Sequence, residues 1–223
     1  MRALRPNWPT PALLASTFLA LSTSMAGAPA AAADLKVTVL DAAGKPVADA
    51  IAYAIPAVPT TRAPRAATID QVNRRFVPRV SAVQTGAAVE FPNSDDIRHS
   101  VYSFSPANTF TLKLYAGKPA NPVIFPKPGI VVLGCNIHDT MIAYVLVVDT
   151  PWFARTDAAG QATLAGLEPG SYQLKAWRSS MREEAAGEAL QVGTSSPAPR
   201  TLQVPTAEDT ATADMTGMAD MAH

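Results

Sequence analysis

The stretch that most constrains this chain is Gly134-Cys135-Asn136-Ile137-His138-Asp139-Thr140-Met141, a short loop between two β-branched apolar runs. Ile130 to Leu133 lead into it, and Met141 to Val148, written MIAYVLVV, follow it. Both runs read as core strands. Cys135 therefore leaves the end of one strand, and the chain turns through Asn136 to Thr140 before re-entering a sheet at about Met141. A connection that short directs a thiol, an imidazole and a thioether toward one point.

A soft thiolate, a neutral imidazole and a weakly donating thioether suit copper, whereas a four-coordinate zinc site wants further Cys, His or carboxylate ligands. The loop lacks a second imidazole. The chain has three histidines, and the only other internal one, His99, lies in a polar turn that opens an alternating strand, Phe91-Pro92-Asn93-Ser94-Asp95-Asp96-Ile97-Arg98-His99-Ser100-Val101-Tyr102. Taken singly, each residue has an ordinary explanation: Cys135 as a small buried hydrophobe, Met141 as core, His99 as a satisfied turn residue. Their joint spacing between flanking strands favours copper ligation.

The start of the chain bears on the cysteine. A basic Met1-Arg2-Ala3-Leu4-Arg5, an apolar Pro11 to Leu21 and a small-residue Ala26 to Ala33 read as a secretory signal peptide, too short for a comfortable transmembrane helix. The expected cut follows Ala33 and leaves Asp34 first. Loss of Arg2 and Arg5 takes Lys+Arg from 18 to 16 against 18 acidic residues, a formal charge of about −2, and no basic patch points to nucleic acid. Export places the single cysteine in an oxidising compartment, where structural cysteines come in pairs. An unpaired thiol there invites oxidation unless something masks it, and a metal does.

His99 followed by Cys135-x2-His138-x2-Met141 resembles the type 1 copper site of cupredoxins, and the short ligand loop is most similar to that of amicyanin. The wider frame, with VEFPNSDDIRHSVYSFSP, LYAGKPANPVIFPKPG, VVLGCNIHDTMIAYVLVVDTPWF and TDAAG, resembles secreted cupredoxin-like proteins labelled methylamine utilisation proteins. The resemblance implies one copper ion with His99, Cys135 and His138 as close ligands and Met141 as a long axial one. It implies an exposed edge on His138 and a docking patch at Ile137. Ser100 stands where several cupredoxins carry an Asn that ties the ligand loops together. Asn93, Ser100 and Asn136 are the residues expected around the ligands, with Asn93 bracing its loop as a polar turn residue.

A second resemblance lies outside the centre. LKVTVL with Asp41-Ala42-Ala43-Gly44-Lys45-Pro46, then TDAAG, then Leu167-Glu168-Pro169-Gly170-Ser171-Tyr172 are similar to the carboxypeptidase regulatory-like domain, a small transthyretin-like sandwich. Leu35 to Leu40 and Val47 to Ile55 read as a hairpin across the Asp41 to Pro46 turn.

The expected organisation is all-β: a cupredoxin-like Greek-key β-sandwich with an additional small transthyretin- or Ig-like β-sandwich. Residues 1–33 are the signal peptide, 34–58 and 152–204 the two halves of the small sandwich, 68–151 an inserted cupredoxin domain, and 205–223 a disordered tail. One enlarged sandwich is the simpler alternative. Phe76, Val80 and Phe125 are expected in the core, and Trp152 and Phe153 at the junction of the two sandwiches. Residues 116–129 read as a turn-rich crossing, Met181 to Glu188 as a turn of helix, and Leu202 to Val204 as a last edge strand. The tail repeats Met215, Met218 and Met221 before His223, a soft set that can hold Cu(I).

These readings describe a periplasmic, monomeric electron carrier, not an enzyme, that meets a redox protein transiently and neither binds nucleic acid nor spans a membrane. A copper-binding and delivery protein is the alternative. An adhesive β-module and a thiol enzyme are further classes, the last opposed by the absence of an oxyanion-type glycine loop near Cys135.

Overall fold

In the computed structural model the described residues are 32–206. The Met-rich tail and nearly all of the expected signal peptide lie outside them. The chain is all-β. Two strands open it, β1 (Ala33–Asp41) and β2 (Ile51–Pro56). Ten follow: β3 (Ala67–Thr68), β4 (Asp70–Gln71), β5 (Phe76–Val77), β6 (Val80–Gln84), β7 (Ala87–Glu90), β8 (His99–Ser105), β9 (Asn108–Tyr115), β10 (Val123–Phe125), β11 (Gly129–Gly134) and β12 (Ile142–Val148). The last five are β13 (Phe153–Arg155), β14 (Gln161–Leu167), β15 (Gly170–Trp177), β16 (Glu188–Val192) and β17 (Arg200–Val204).

The two ends of the described region pair with each other. β1 lies between β14, antiparallel with Leu35 opposite Leu164, and β17, parallel with Val39 opposite Leu202. β2 lies between β13 and β15, with Ile51 opposite Trp177. Leu35, Val37, Ile51, Tyr53, Leu164, Leu174, Trp177, Leu190 and Leu202 share one core. The middle of the chain forms a five-stranded sheet, β6-β12-β11-β8-β9, and a three-stranded sheet, β10-β7-β3, around a second core that holds Val89, Phe91, Phe125, Leu133, Cys135 and Met141.

Strand β12 explains why MIAYVLVV does not alternate. Ala143, Val145 and Val147 face the second core, while Leu146 and Val148 join Val80 and Trp152 in the first. A strand buried on both faces needs apolar residues on both. Each such side chain taken from water is worth roughly 1.5–3 kcal/mol.

The expected hairpin between β1 and β2 is not formed. Only Leu40 and Pro46 make an antiparallel bridge, and the chain then crosses to the other sheet of the first core. Alternation gives a strand its inward face but not its partner, and β2 is buried on successive residues from Ile51 to Ala54, as a central strand of the facing sheet is. The turn itself is well specified: the Asp41 carboxylate accepts the N–H groups of Ala43 and Lys45. Asp157 repeats this with Ala159 and Gln161. There Gly160 has φ +71°, and a Cβ on it would lie 2.6 Å from the Val39 carbonyl oxygen. Glycine is thus required for conformation and for space.

Two other expectations change. Residues 181–187 form no helix, because Glu184 is drawn off to the Tyr53 hydroxyl at 2.7 Å and the Lys175 ammonium at 3.2 Å. The crossing at 116–129 contains β10, which pairs with β7 and delivers Phe125, fully buried, to the second core. Phe76 and Val80 are buried as expected. Trp152 is buried in the first core, its ring edge-on to Tyr172 at 5.4 Å and its N–H on the Gly166 carbonyl at 2.8 Å. Phe153 packs against the same core. β17, which contains Leu202 to Val204, is an edge strand. Among the described residues no helix is long and apolar enough to cross a membrane.

Candidate metal centre

Three neighbouring elements bring the candidate ligands together. His99 is the first residue of β8, Cys135 follows the last residue of β11, and Met141 precedes β12. β11 is flanked by β12 and β8, so both loops open at the same end of the sheet. Within the Cys135 loop the Met141 N–H reaches the His138 carbonyl at 2.9 Å, closing the turn that returns the chain to the sheet.

The ligand atoms of His99, Cys135 and His138 lie within 4.8 Å of one another. The His99 Nδ1 stands 3.8 Å from the Cys135 sulfur, and the two imidazole centroids are 5.1 Å apart at 57°. His99, Cys135 and Met141 are buried; His138 is half-buried and Ile137 is 48% exposed. The His138 Nδ1 is buried without a hydrogen-bond partner. A buried imidazole nitrogen normally finds one, so this atom suits a cation.

The donor set fits a metal by size as well as by type. Bonds of about 2.0 Å to nitrogen and 2.3 Å to sulfur, opened to a trigonal angle, separate the two donors by roughly 3.7 Å. The observed 3.8 Å matches. A thiolate and two imidazoles are a donor set that suits copper, and the buried Met141 follows in the same loop.

Ser100 and Asn93 make hydrogen bonds around these side chains. Ser100, which replaces the Asn of the resemblance, ties the two loops: its hydroxyl accepts the Asn136 N–H at 2.9 Å and donates to the Cys135 sulfur at 3.7 Å. The Asn93 amide donates to the Ile97 and Tyr115 carbonyls at 2.8 and 2.9 Å and accepts the Asp95 N–H, so it braces the His99 loop. Burial pushes the Cys135 thiol up. The N–H groups of Ile137 and Ser100, with the Ser100 hydroxyl, act against it, and the thiol lies below its ordinary value. The loop thus eases formation of the thiolate that a metal needs.

Asp95, Tyr115 and Gln71 escaped the sequence reading. Asp95 accepts from His99 Nε2 at 2.7 Å. Tyr115, opposite His99 in the β8–β9 ladder, donates to the Phe91 carbonyl at 2.6 Å and accepts from the buried Gln71 amide. The only signal was Asp95 four residues before His99, shared with Asp96. On the outer face of the sheet the Tyr102 ring lies against Gly134, where a Cβ would come within 2.6 Å of it, and Phe104, 76% exposed, is tilted beside it with ring centroids 5.1 Å apart.

No family model matches the chain, and no curated protein matches it. Solved structures do share local likeness. A copper-containing nitrite reductase from Thermus scotoductus is 26% identical over 36% of this chain, at a TM-score of 0.34. The chain covers only 21% of that reductase. A purple cupredoxin from Nitrosopumilus maritimus is 17% identical over 36% of this chain and 98% of its own, at a TM-score of 0.32. A pseudoazurin from Methylobacterium extorquens is 22% identical over 38% of this chain and 76% of its own, also at 0.32.

Proposed function

We propose that the chain is a periplasmic type 1 copper protein that carries single electrons between redox partners. The observation that carries this reading is the convergence of three ligand atoms, with the His138 Nδ1 buried and otherwise unpartnered. His99, Cys135 and His138 would hold one copper ion, with Met141 as a further thioether ligand. Copper bound there would supply one-electron Cu(I)/Cu(II) chemistry. The protein keeps the ligands in place between those states: β8 and β11 fix His99 and Cys135, and Ser100 pins one loop to the other.

Burial of His99, Cys135 and Met141 excludes water from the sulfur. His138 is half-buried beside the exposed Ile137, so partners dock at this apolar edge by a small, quickly released contact. The organisation proposed with it is a cupredoxin unit over 68–151 inserted between the halves 34–58 and 152–204 of a small sandwich, after a signal peptide over 1–33. The pairing of β1 with β14 and β17 supports this.

Purified, copper-loaded protein tests the reading. An intensely blue sample that ascorbate bleaches reversibly is expected. Colourless protein that binds Cu(I) indicates delivery instead, and protein that takes no copper overturns the metal site altogether.

A further inference from the structure

We infer that Asp95 is a positioning residue for His99, fixing which ring nitrogen faces the Cys135 sulfur and so setting how strongly the site holds Cu(II). The inference rests on the copper reading above and extends it to a residue outside the ligand set.

The His99 ring is fully buried, so its second nitrogen must be satisfied within the protein. Its partner is the Asp95 carboxylate, with Oδ2 at 2.7 Å from Nε2. An ionised carboxylate only accepts, so the ring hydrogen sits on Nε2. In the neutral ring Nδ1 then keeps its lone pair, and this is the nitrogen 3.8 Å from the sulfur. Nothing comparable holds His138, whose Nδ1 has no partner.

Asp95 is itself held from a distant part of the chain. Its Oδ1 accepts the Asn73 N–H at 2.5 Å, and its Oδ2 also accepts the Arg74 N–H at 2.9 Å. Those two residues form the turn between β4 and β5 at φ +53° and +56°, a left-handed conformation that non-glycine residues adopt at a cost. The turn is thus shaped to aim consecutive N–H groups at one carboxylate. Ser94 adds a parallel tie, its hydroxyl donating to the Asp70 carboxylate at 2.7 Å and its N–H to the Gln71 carbonyl at 3.0 Å. With its carboxylate held by the turn, Asp95 cannot follow the ring, so rotation of His99 breaks the Nε2 bond. The charge behind the ring also raises its donor strength, which favours Cu(II) over Cu(I).

Nitrogen-15 spectroscopy of the His99 ring in metal-free protein gives a readout that needs no copper. The expected result is the Nε2–H tautomer in the wild type and a mixture of tautomers in Asp95→Ala. In copper-loaded protein, Asp95→Ala is expected to weaken Cu(II) binding 10- to 100-fold. Asp95→Asn, which keeps an acceptor oxygen but not the charge, should fall between. A tenfold loss confined to Cu(II) corresponds to about 59 mV upward in potential. A blue wild type with an Nδ1–H ring, or variants with unchanged potential and affinity, overturns the inference and leaves the copper reading standing. A purely structural role for Asp95 lowers the melting temperature of both variants without moving tautomer or potential, which also overturns it. A wild type that takes no copper fails the copper reading instead, and the tautomer measurement still decides what Asp95 does.

Discussion

The two cores of this chain bury different kinds of surface. The core built by the chain ends is filled with Trp177, Tyr53, Leu35, Ile51, Leu164 and Leu167, and its buried polar residues, Thr150 and Thr156, only bond nearby backbone. The core that holds the candidate ligands also buries Gln71, Asn93, His99 and Ser100 at its ligand end, with Ser103 further along β8. Apolar packing stabilises without choosing among near-equivalent arrangements, whereas a satisfied polar network specifies one. The first core therefore supplies stability, and the second uses part of its interior to hold side chains at fixed angles.

Substitutions can break that division. Cys135→Ser has the largest expected effect on function: the blue colour disappears completely, while the metal-free protein keeps its circular dichroism. Loss of the fold with the colour would show that the polar end is needed for folding too. Trp177→Ala, in the core of the chain ends, should cost about 3–5 kcal/mol in denaturant melts. If the cores are separable, the residual folded fraction stays blue. Leu146→Ala sharpens the contrast, because β12 presents Leu146 to the first core and Val145 to the second. It should cost about 2–5 kcal/mol in denaturant melts, and protein that keeps its blue colour through the loss of the first core would show the two cores to be separable.

Two smaller effects belong to the ligand end alone. Met141→Leu conserves volume, so it should cost less than about 1.5 kcal/mol while keeping the blue colour and shifting the reduction potential. Tyr115 gives the smallest effect, in alkali. Burial above all, with the charges of Cys135 and Asp70, raises its phenol to about 12 against the lowering hydrogen bond from Gln71. A raised pKa means the folded state prefers the protonated phenol. Its contribution is complete below the ordinary value of about 10 and is lost as pH rises through about 12. Tyr115→Phe should flatten that alkaline loss in metal-free thermal melts, and an unchanged slope would remove Tyr115 from the network.

What was legible in the sequence follows from the same contrast. Side chains whose role depends on nearby chain, such as His138 and Met141 beside Cys135, show in spacing. The burial of β12 showed in an apolar run too long and too unbroken for a one-faced strand. Partnerships fixed by the whole fold did not show. β1 chose β14 and β17 over β2, and nothing in LKVTVL distinguishes those partners. Asp95 and Asp96 look alike in the chain, and only the turn at Asn73 and Arg74 selects the first. Residues 181–187 were read by local composition, but the tie from Glu184 to Tyr53 crosses 131 positions.

Gly134 has one further implication. With bare backbone there, the phenol of Tyr102 rests directly on the peptide beside the sulfur-bearing residue. A single added methyl must either lift that ring toward solvent or push back the strand end from which Cys135 hangs. The position thus works as a gauge block: the width of one absent carbon sets where the sulfur can stand.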